Sequence, residues 1–381
     1  MRIIPINCIS ENTVLGKTIY NATGNILLRS GTTLTPSLID KIKAADISTI
    51  YVDDGYSEEE IEDILKPELK AQAVKTIQAA FKSIKKDIAN SLDMNKGLKN
   101  KLKSKLMSSY VDKLKHITDA IIDDIMSSHH LMINVVDIKH ASTFEYEHAL
   151  NVAVLSLVLG MELRMNRHEL FTLFTGAILH DIGKVFMEPD LIEKGVNRTE
   201  EEEELFASHP QEGYNYLKEN KGFAATSKIC ILQHHEHIDG SGYPNGTHGK
   251  AIHRNARIVA IANAYDNMTA FRDNHNHFPA NEAIEYIMGN AGREFDFDIA
   301  NVFVRKVNPY PVGTLVDMSD GQVGVIVETN VDFPLRPVVQ IVEKRGGLVI
   351  KKELINMMEV THVTIKQIRY YEVEDNDEED L

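Results

Sequence analysis

The chain has 381 residues, 43% of them hydrophobic and 25% charged, with a formal net charge of −15. This is the composition of a globular protein of two or three domains, and its negative charge argues against a nonspecific grip on nucleic acid polymers or anionic membranes. Two isolated cysteines, Cys8 and Cys230, provide neither a disulfide framework nor a thiolate metal site, and they suit a reducing cytoplasm.

No signal-peptide core opens the chain, and "ALNVAVLSLVLGMEL" is too short and interrupted to cross a bilayer, so no membrane insertion is expected. Residues 1–55 read as a small α+β module of unknown role. "TIYNATGNILL" suggests two strands around a turn, and "TPSLIDKIKAAD" a helix capped by Thr35 with Pro36 in its first turn.

Residues 56–128 read as helical. Ser57 and Glu60 form a capping-box pattern. Val74, Ile77, Phe81, Ile84 and Ile88 are spaced by threes and fours, as are Met107, Val111, Leu114, Thr118, Ile121 and Ile125. This heptad-like stripe fits either a helix pair packed on the next domain or a homodimer through helices 70–126.

Helical patterns and histidines fill 129–307. "EYEHALNVAVLSLVLG" reads as an amphipathic helix with His148 near its start. The apolar helix "FTLFTGAILHDIGK" ends in His180 and Asp181, which need metal or hydrogen bonds if buried. Thr199 and Glu202 make the glutamate run a capped, solvated helix start, after which His209-Pro210 opens another helix. "ICILQHHEHIDGSGYPNG" sets His234 beside His235 at a helix end, and "RNARIVAIANAYDNMTAFR" places Asn263 and Asp266 one turn apart, with Arg272 at its end.

Together, His148, His180, Asp181, His209, His234 and His235 exceed one tetrahedral site and lack thiolate. They suggest a binuclear centre of iron, manganese or zinc in which the two adjacent histidines serve different parts of the cluster. Residues 308–370 read as a small β appendix, and 371–381 as an acidic disordered tail.

"LHDIGK" resembles the HD superfamily of metal-dependent phosphohydrolases, and "HHEHIDGSGYPNG" matches the HD-GYP signature HHExxDGxGYPxG; "HPQEG" and "ARIVAIANAYDNMTA" resemble the intervening motifs. The resemblance covers roughly residues 120–310. It implies a mainly α fold, an HD-type all-helical domain with the α+β module before it and the β appendix after it.

It also implies a metal-dependent cyclic di-GMP phosphodiesterase yielding pGpG or GMP through a metal-bridging hydroxide. His148, His180, Asp181, His209, His234, His235 and Asn263 fall on its metal-ligand positions. Lys184 falls beside the metals and scissile phosphate, with Asp181 and Lys184 as the catalytic pair. Arg272 falls on a phosphate-binding position, and Gly242, Tyr243 and Pro244 on the loop beside the substrate cleft, where signalling partners also fit.

Three departures shape the expectations. Phe144 stands where some members carry a further Glu ligand, so two divalent ions, iron or manganese, are expected. Asn263 stands in place of an Asp, and His275 where a more basic residue is usual. These changes motivate an alternative: a degenerate sensor that binds cyclic di-GMP or a partner protein without efficient turnover. A third reading, HD chemistry on a (p)ppGpp-type or deoxynucleotide substrate, is opposed by the intact signature.

Overall fold

A computed structural model of the chain describes residues 1–20, 25–45, 47–57, 64–90, 96–127, 143–270 and 277–374, with side chains outside 87–90 and 96–110. The Glu60 end of the capping-box pattern, the side chains of Ile88 and Met107, Arg272, His275 and most of the acidic tail lie outside the described residues.

The first module comprises β1 (Arg2–Pro5), β2 (Val14–Leu15), β3 (Ile19–Tyr20), β4 (Ile26–Leu28), α1 (Pro36–Ala44) and β5 (Thr49–Asp53). β5 lies between β1 and β2 in an antiparallel sheet, while β3 and β4 pair separately. Thr35 caps α1 by accepting from Leu38 N, with Pro36 in the first turn. Alternating apolar residues from the strands and α1, among them Ile4, Leu15, Ile42, Ile50 and Val52, form its core.

The helical region runs through α2 (Pro67–Asn90), α3 (Lys96–Ser127), α4 (Phe144–Glu162), α5 (Arg167–Ile178), α6 (Pro189–Glu193) and α7 (Glu200–Phe206). It continues through α8 (His209–Leu217), α9 (Ala225–Gln233), α10 (Arg254–Thr269), α11 (Ala280–Gly289) and α12 (Phe297–Lys306). α4 is not amphipathic. Nearly every residue from Glu147 to Gly160 is buried, because the helix is apolar all round and forms the centre on which α5, α10 and α12 pack.

The heptad-like stripe is filled within the chain. Val74, Ile77, Phe81 and Ile84 of α2 and Val111, Leu114, Ile121 and Ile125 of α3 join the core built around α4 and α5. Each such side chain contributes about 1.5–3 kcal/mol by leaving water, and these apolar residues are therefore already covered in a single copy.

The last module is a five-stranded antiparallel sheet in the order β10-β6-β7-β8-β9, from β6 (Leu315–Met318), β7 (Val323–Glu328), β8 (Val338–Arg345), β9 (Leu348–Asn356) and β10 (Ile365–Ile368). It docks on the first module. Buried Arg2 pairs with Asp54 and donates to the carbonyls of Arg369 and Tyr370 at 3.1 and 3.0 Å. The reading of 371–381 as a disordered tail needs correction at its start. Val373 is buried and its amide donates to the Tyr56 hydroxyl at 3.0 Å, while Glu372 pairs with Lys344 at 2.7 Å. One apolar residue with a basic neighbour is enough to hold 371–374 against the sheet.

Candidate metal centre

Four local structures bring the histidines together. His148 lies in the first turns of buried α4, while His180 and Asp181 follow the end of α5. A 3-10 turn over Ile182–Phe186 carries Lys184, and His209 opens α8. Gly183 makes the junction possible: a Cβ there would lie 1.9 Å from the His209 carbonyl oxygen. Glycine thus lets the 3-10 turn touch the start of α8 and brings His209 to Asp181.

His234 and His235 leave the end of α9. Their rings are 4.3 Å apart and tilted by 48°. Both join Asp181 and His209 in one potential ligand group, while His148, His180 and Asp181 form another. Both adjacent histidines thus stand beside His209, although the His234 ring also meets His180 at 4.9 Å.

The Nδ1 atoms of His180, His209 and His234 face the carbonyls of Ala177, Phe206 and Ile231 at 2.6, 2.8 and 2.9 Å. A carbonyl only accepts, so each Nδ1 carries a proton and Nε2 is the nitrogen left to face a cation. His148 Nδ1 donates in the same way to Asp266 Oδ2 at 2.6 Å, and Asn151 Nδ2 supports Asp266 Oδ1 at 3.2 Å.

These Nε2 atoms converge on Asp181. His209 and His234 lie 3.1 and 3.6 Å from its Oδ1, and His180 and His148 lie 3.2 and 3.5 Å from its Oδ2. The Nε2 atoms of His209 and His234 are themselves 3.2 Å apart. Two lone pairs at that distance need a proton or cation nearby. The Nε2 atoms of His148 and His180 are buried without a hydrogen-bond partner, which is costly unless a cation takes them.

Electrostatics favours the ligand forms. Burial pushes the His209 pKa down and lowers that of His234 to about 3, despite opposition from Asp181. Burial, then neighbouring His234 and His209, holds His235 well below the ordinary imidazole value. For His148, burial acts downward, but the nearby Asp181 and Asp266 carboxylates leave its pKa raised. Burial acts upward on the Asp181 carboxyl, yet neighbouring His180 and Lys184 hold it well below the usual range. Neutral His209, His234 and His235 beside an ionised Asp181 fit one side of a divalent metal centre.

Asn263 is buried, and its amide oxygen accepts from Asn267 Nδ2 at 2.8 Å on its own helix. The signature loop encloses His235. Tyr243 stacks on that ring at 4.6 Å with an interplanar angle of 17°, and its amide donates to the His235 carbonyl at 3.0 Å. A Cβ on Gly242 would lie 2.3 Å from that carbonyl oxygen, and the Tyr243–Pro244 peptide is cis.

Two supporting residues were not assigned roles from sequence. Asp266 had been noted only as a neighbouring acid. Buried Glu236, inside the signature, accepts from Asn245 N and Thr247 N at 2.9 and 2.8 Å and pins the loop. The spacing of Glu236 before a glycine-rich turn could have signalled this role; no local pattern signals the contact between Asp266 and His148.

Residues 130–299 match the HD domain family, and residues 315–372 match a KOW domain associated with HD domain. A cyclic di-GMP phosphodiesterase of Pseudomonas aeruginosa is 30% identical over 59% of this chain and 54% of its own length. Another, PdeB of Borreliella burgdorferi, is 25% identical over 60% of this chain and 61% of its own. A 3'3'-cGAMP-specific phosphodiesterase of Vibrio cholerae is 33% identical over 50% of this chain and 43% of its own. The chain thus spans about two-fifths to three-fifths of the length of these relatives. An apolar helical domain with an HD pair at a buried histidine cluster defines the HD class. The unbroken signature over His234–Gly246 narrows it: residues 130–299 carry an HD domain whose signature is that of the HD-GYP type.

Proposed function

We propose that the chain is a metal-dependent cyclic dinucleotide phosphodiesterase acting on cyclic di-GMP to give pGpG or GMP. The carrying observation is the placement of Asp181: each carboxylate oxygen faces its own pair of imidazole Nε2 atoms. This favours two divalent ions sharing Asp181, one beside His148 and His180 and the other beside His209, His234 and His235. Phe144, stacked on His148 at 6.0 Å, adds no further carboxylate at its position. An all-nitrogen-and-oxygen donor set suits iron or manganese.

Such ions, when bound, supply Lewis acidity toward phosphoryl oxygen and activate water. Within the chain, Asp181 holds the two halves together and Asp266 fixes the tautomer of His148. Lys184, 2.6 Å from Asp181, is a cation placed to offset phosphate charge developing during hydrolysis. Arg272 extends that role by its position in sequence. Tyr243 holds the His235 ring, while Gly242 and Pro244 shape the adjoining loop for substrate or a protein partner. The free cysteines accord with a cytoplasmic setting.

The test is anaerobic purification, loading with manganese or iron, and product analysis with cyclic di-GMP and 3'3'-cGAMP in parallel. Faster release of linear product from cyclic di-GMP supports the proposal; preference for 3'3'-cGAMP reassigns the substrate. A second reading rests on Asn263, a neutral amide already engaged by Asn267. It makes the chain a sensor, and metal-loaded protein that binds cyclic di-GMP without product would establish that reading.

A further inference from the structure

Among the described residues, Asp181 and Glu145 both place a carboxylate within ion-pair reach of Lys184. Its Nζ lies 2.6 Å from Asp181 Oδ2 and 3.5 Å from Glu145 Oε2. Asp181 is almost wholly buried, whereas the Glu145 side chain is 30% exposed and Lys184 is 14% exposed. The Phe206 ring lies 5.4 Å from the same ammonium, close enough for a cation–π contribution. Lys184 therefore bridges the buried centre and its solvent-facing edge.

The Asp181 oxygen that meets Lys184 also faces His148 and His180. An ammonium and a divalent ion compete for that oxygen. They would also repel each other if both met that oxygen, because little water screens a buried site. A metal arriving between His148, His180 and Asp181 therefore drives the ammonium outward. Lysine suits the movement, having a flexible stem and rotatable donors. Glu145 supplies an acceptor along it, so that Lys184 need not leave the cleft.

We propose that Glu145 is a positioning residue that receives Lys184 when metal takes Asp181, making Lys184 an internal cation exchanged for the metal. This rests on the metal-centre reading above and deepens it. Without Glu145, Lys184 has Asp181 as its remaining carboxylate partner of the two and competes harder with metal. Glu145 consequently aids metal binding through Lys184 and without ligating the ion. It also keeps the ammonium at the cleft edge, where substrate phosphate arrives.

The test is a manganese titration against a competing chelator indicator, using the full chain as wild type, E145Q, K184M and E145Q/K184M. Circular dichroism and a thermal melt of each variant check the fold. E145Q is expected to weaken manganese binding by about two- to fivefold, the range of a partly exposed ion pair. K184M is expected to bind at least as tightly as wild type. In the K184M background, E145Q should have no effect, because its route of action is gone. An E145Q loss that persists in that background overturns the proposal, since Glu145 would then act on the ion directly. No E145Q loss in the wild-type background overturns it too. Wild type that binds no manganese, iron or zinc overturns the metal-centre reading itself, and this proposal with it.

Discussion

His148 Nδ1 and Asp266 Oδ2 lie 2.6 Å apart, joining the central helix α4 to α10 across 118 residues of sequence. The carboxylate fixes the proton on Nδ1 and turns Nε2 toward Asp181. Asp266 thus orients the His148 ring from behind.

Asp266→Asn replaces this anionic acceptor by a neutral amide. Metal affinity should fall by about ten- to a hundredfold, with helical content retained. A chelator-competition titration measures the change. Affinity equal to wild type would show that α4 packing alone aims His148.

Gly183→Ala places a methyl group 1.9 Å from the His209 carbonyl oxygen. Backbone must move, so stability should fall by more than about 3 kcal/mol, or the chain should fail to accumulate. Urea denaturation tests this. A loss below about 1 kcal/mol would mean that the 3-10 turn can yield without displacing α8.

The HD pair, adjacent histidines and signature loop were legible because their residue types sit close together in sequence. Asp266 was visible as an acid, but its partnership with His148 requires the packing of two distant helices. The stripe on α2 and α3 was ambiguous for a physical reason: the same three-four spacing suits a partner helix from either chain. Its coverage by α4 and α5 shows which alternative its described residues take. The docking of Arg2 on the carbonyls of Arg369 and Tyr370 left no sequence signal at all, because carbonyl acceptors are common to every residue type.

The metal-free protein should lose stability on acidification from about pH 7.5 to 5.5. His209, His234 and His235 are depressed below 6.5, so the unfolded chain takes up more protons there. Their stabilising contribution is therefore lost as pH falls through the unfolded imidazole range. His148 is raised and has the opposite sign, but it stands against three. Thermal midpoints without metal measure the balance; a higher midpoint at the lower pH would contradict it.

Asn263→Asp adds a full charge on α10 one turn before Asp266, the partner of His148. If Asn263 occupies a ligand position, metal binding should tighten by about tenfold, and cyclic di-GMP turnover should rise with it. Affinity and initial rate are compared at equal metal loading. If neither changes, the side chain serves its bond to Asn267 and not the metals. Tighter metal with no turnover would favour the sensor reading.

The most direct test of the shared-carboxylate centre is the metal content of anaerobically loaded wild type beside Asp181→Ala, counted by elemental analysis on folded protein. Wild type should hold two ions per chain, and Asp181→Ala should retain neither tightly, because both groups of imidazoles lose the carboxylate between them. An Asp181→Ala variant that keeps two ions, or a wild type that holds one or three, would contradict the account.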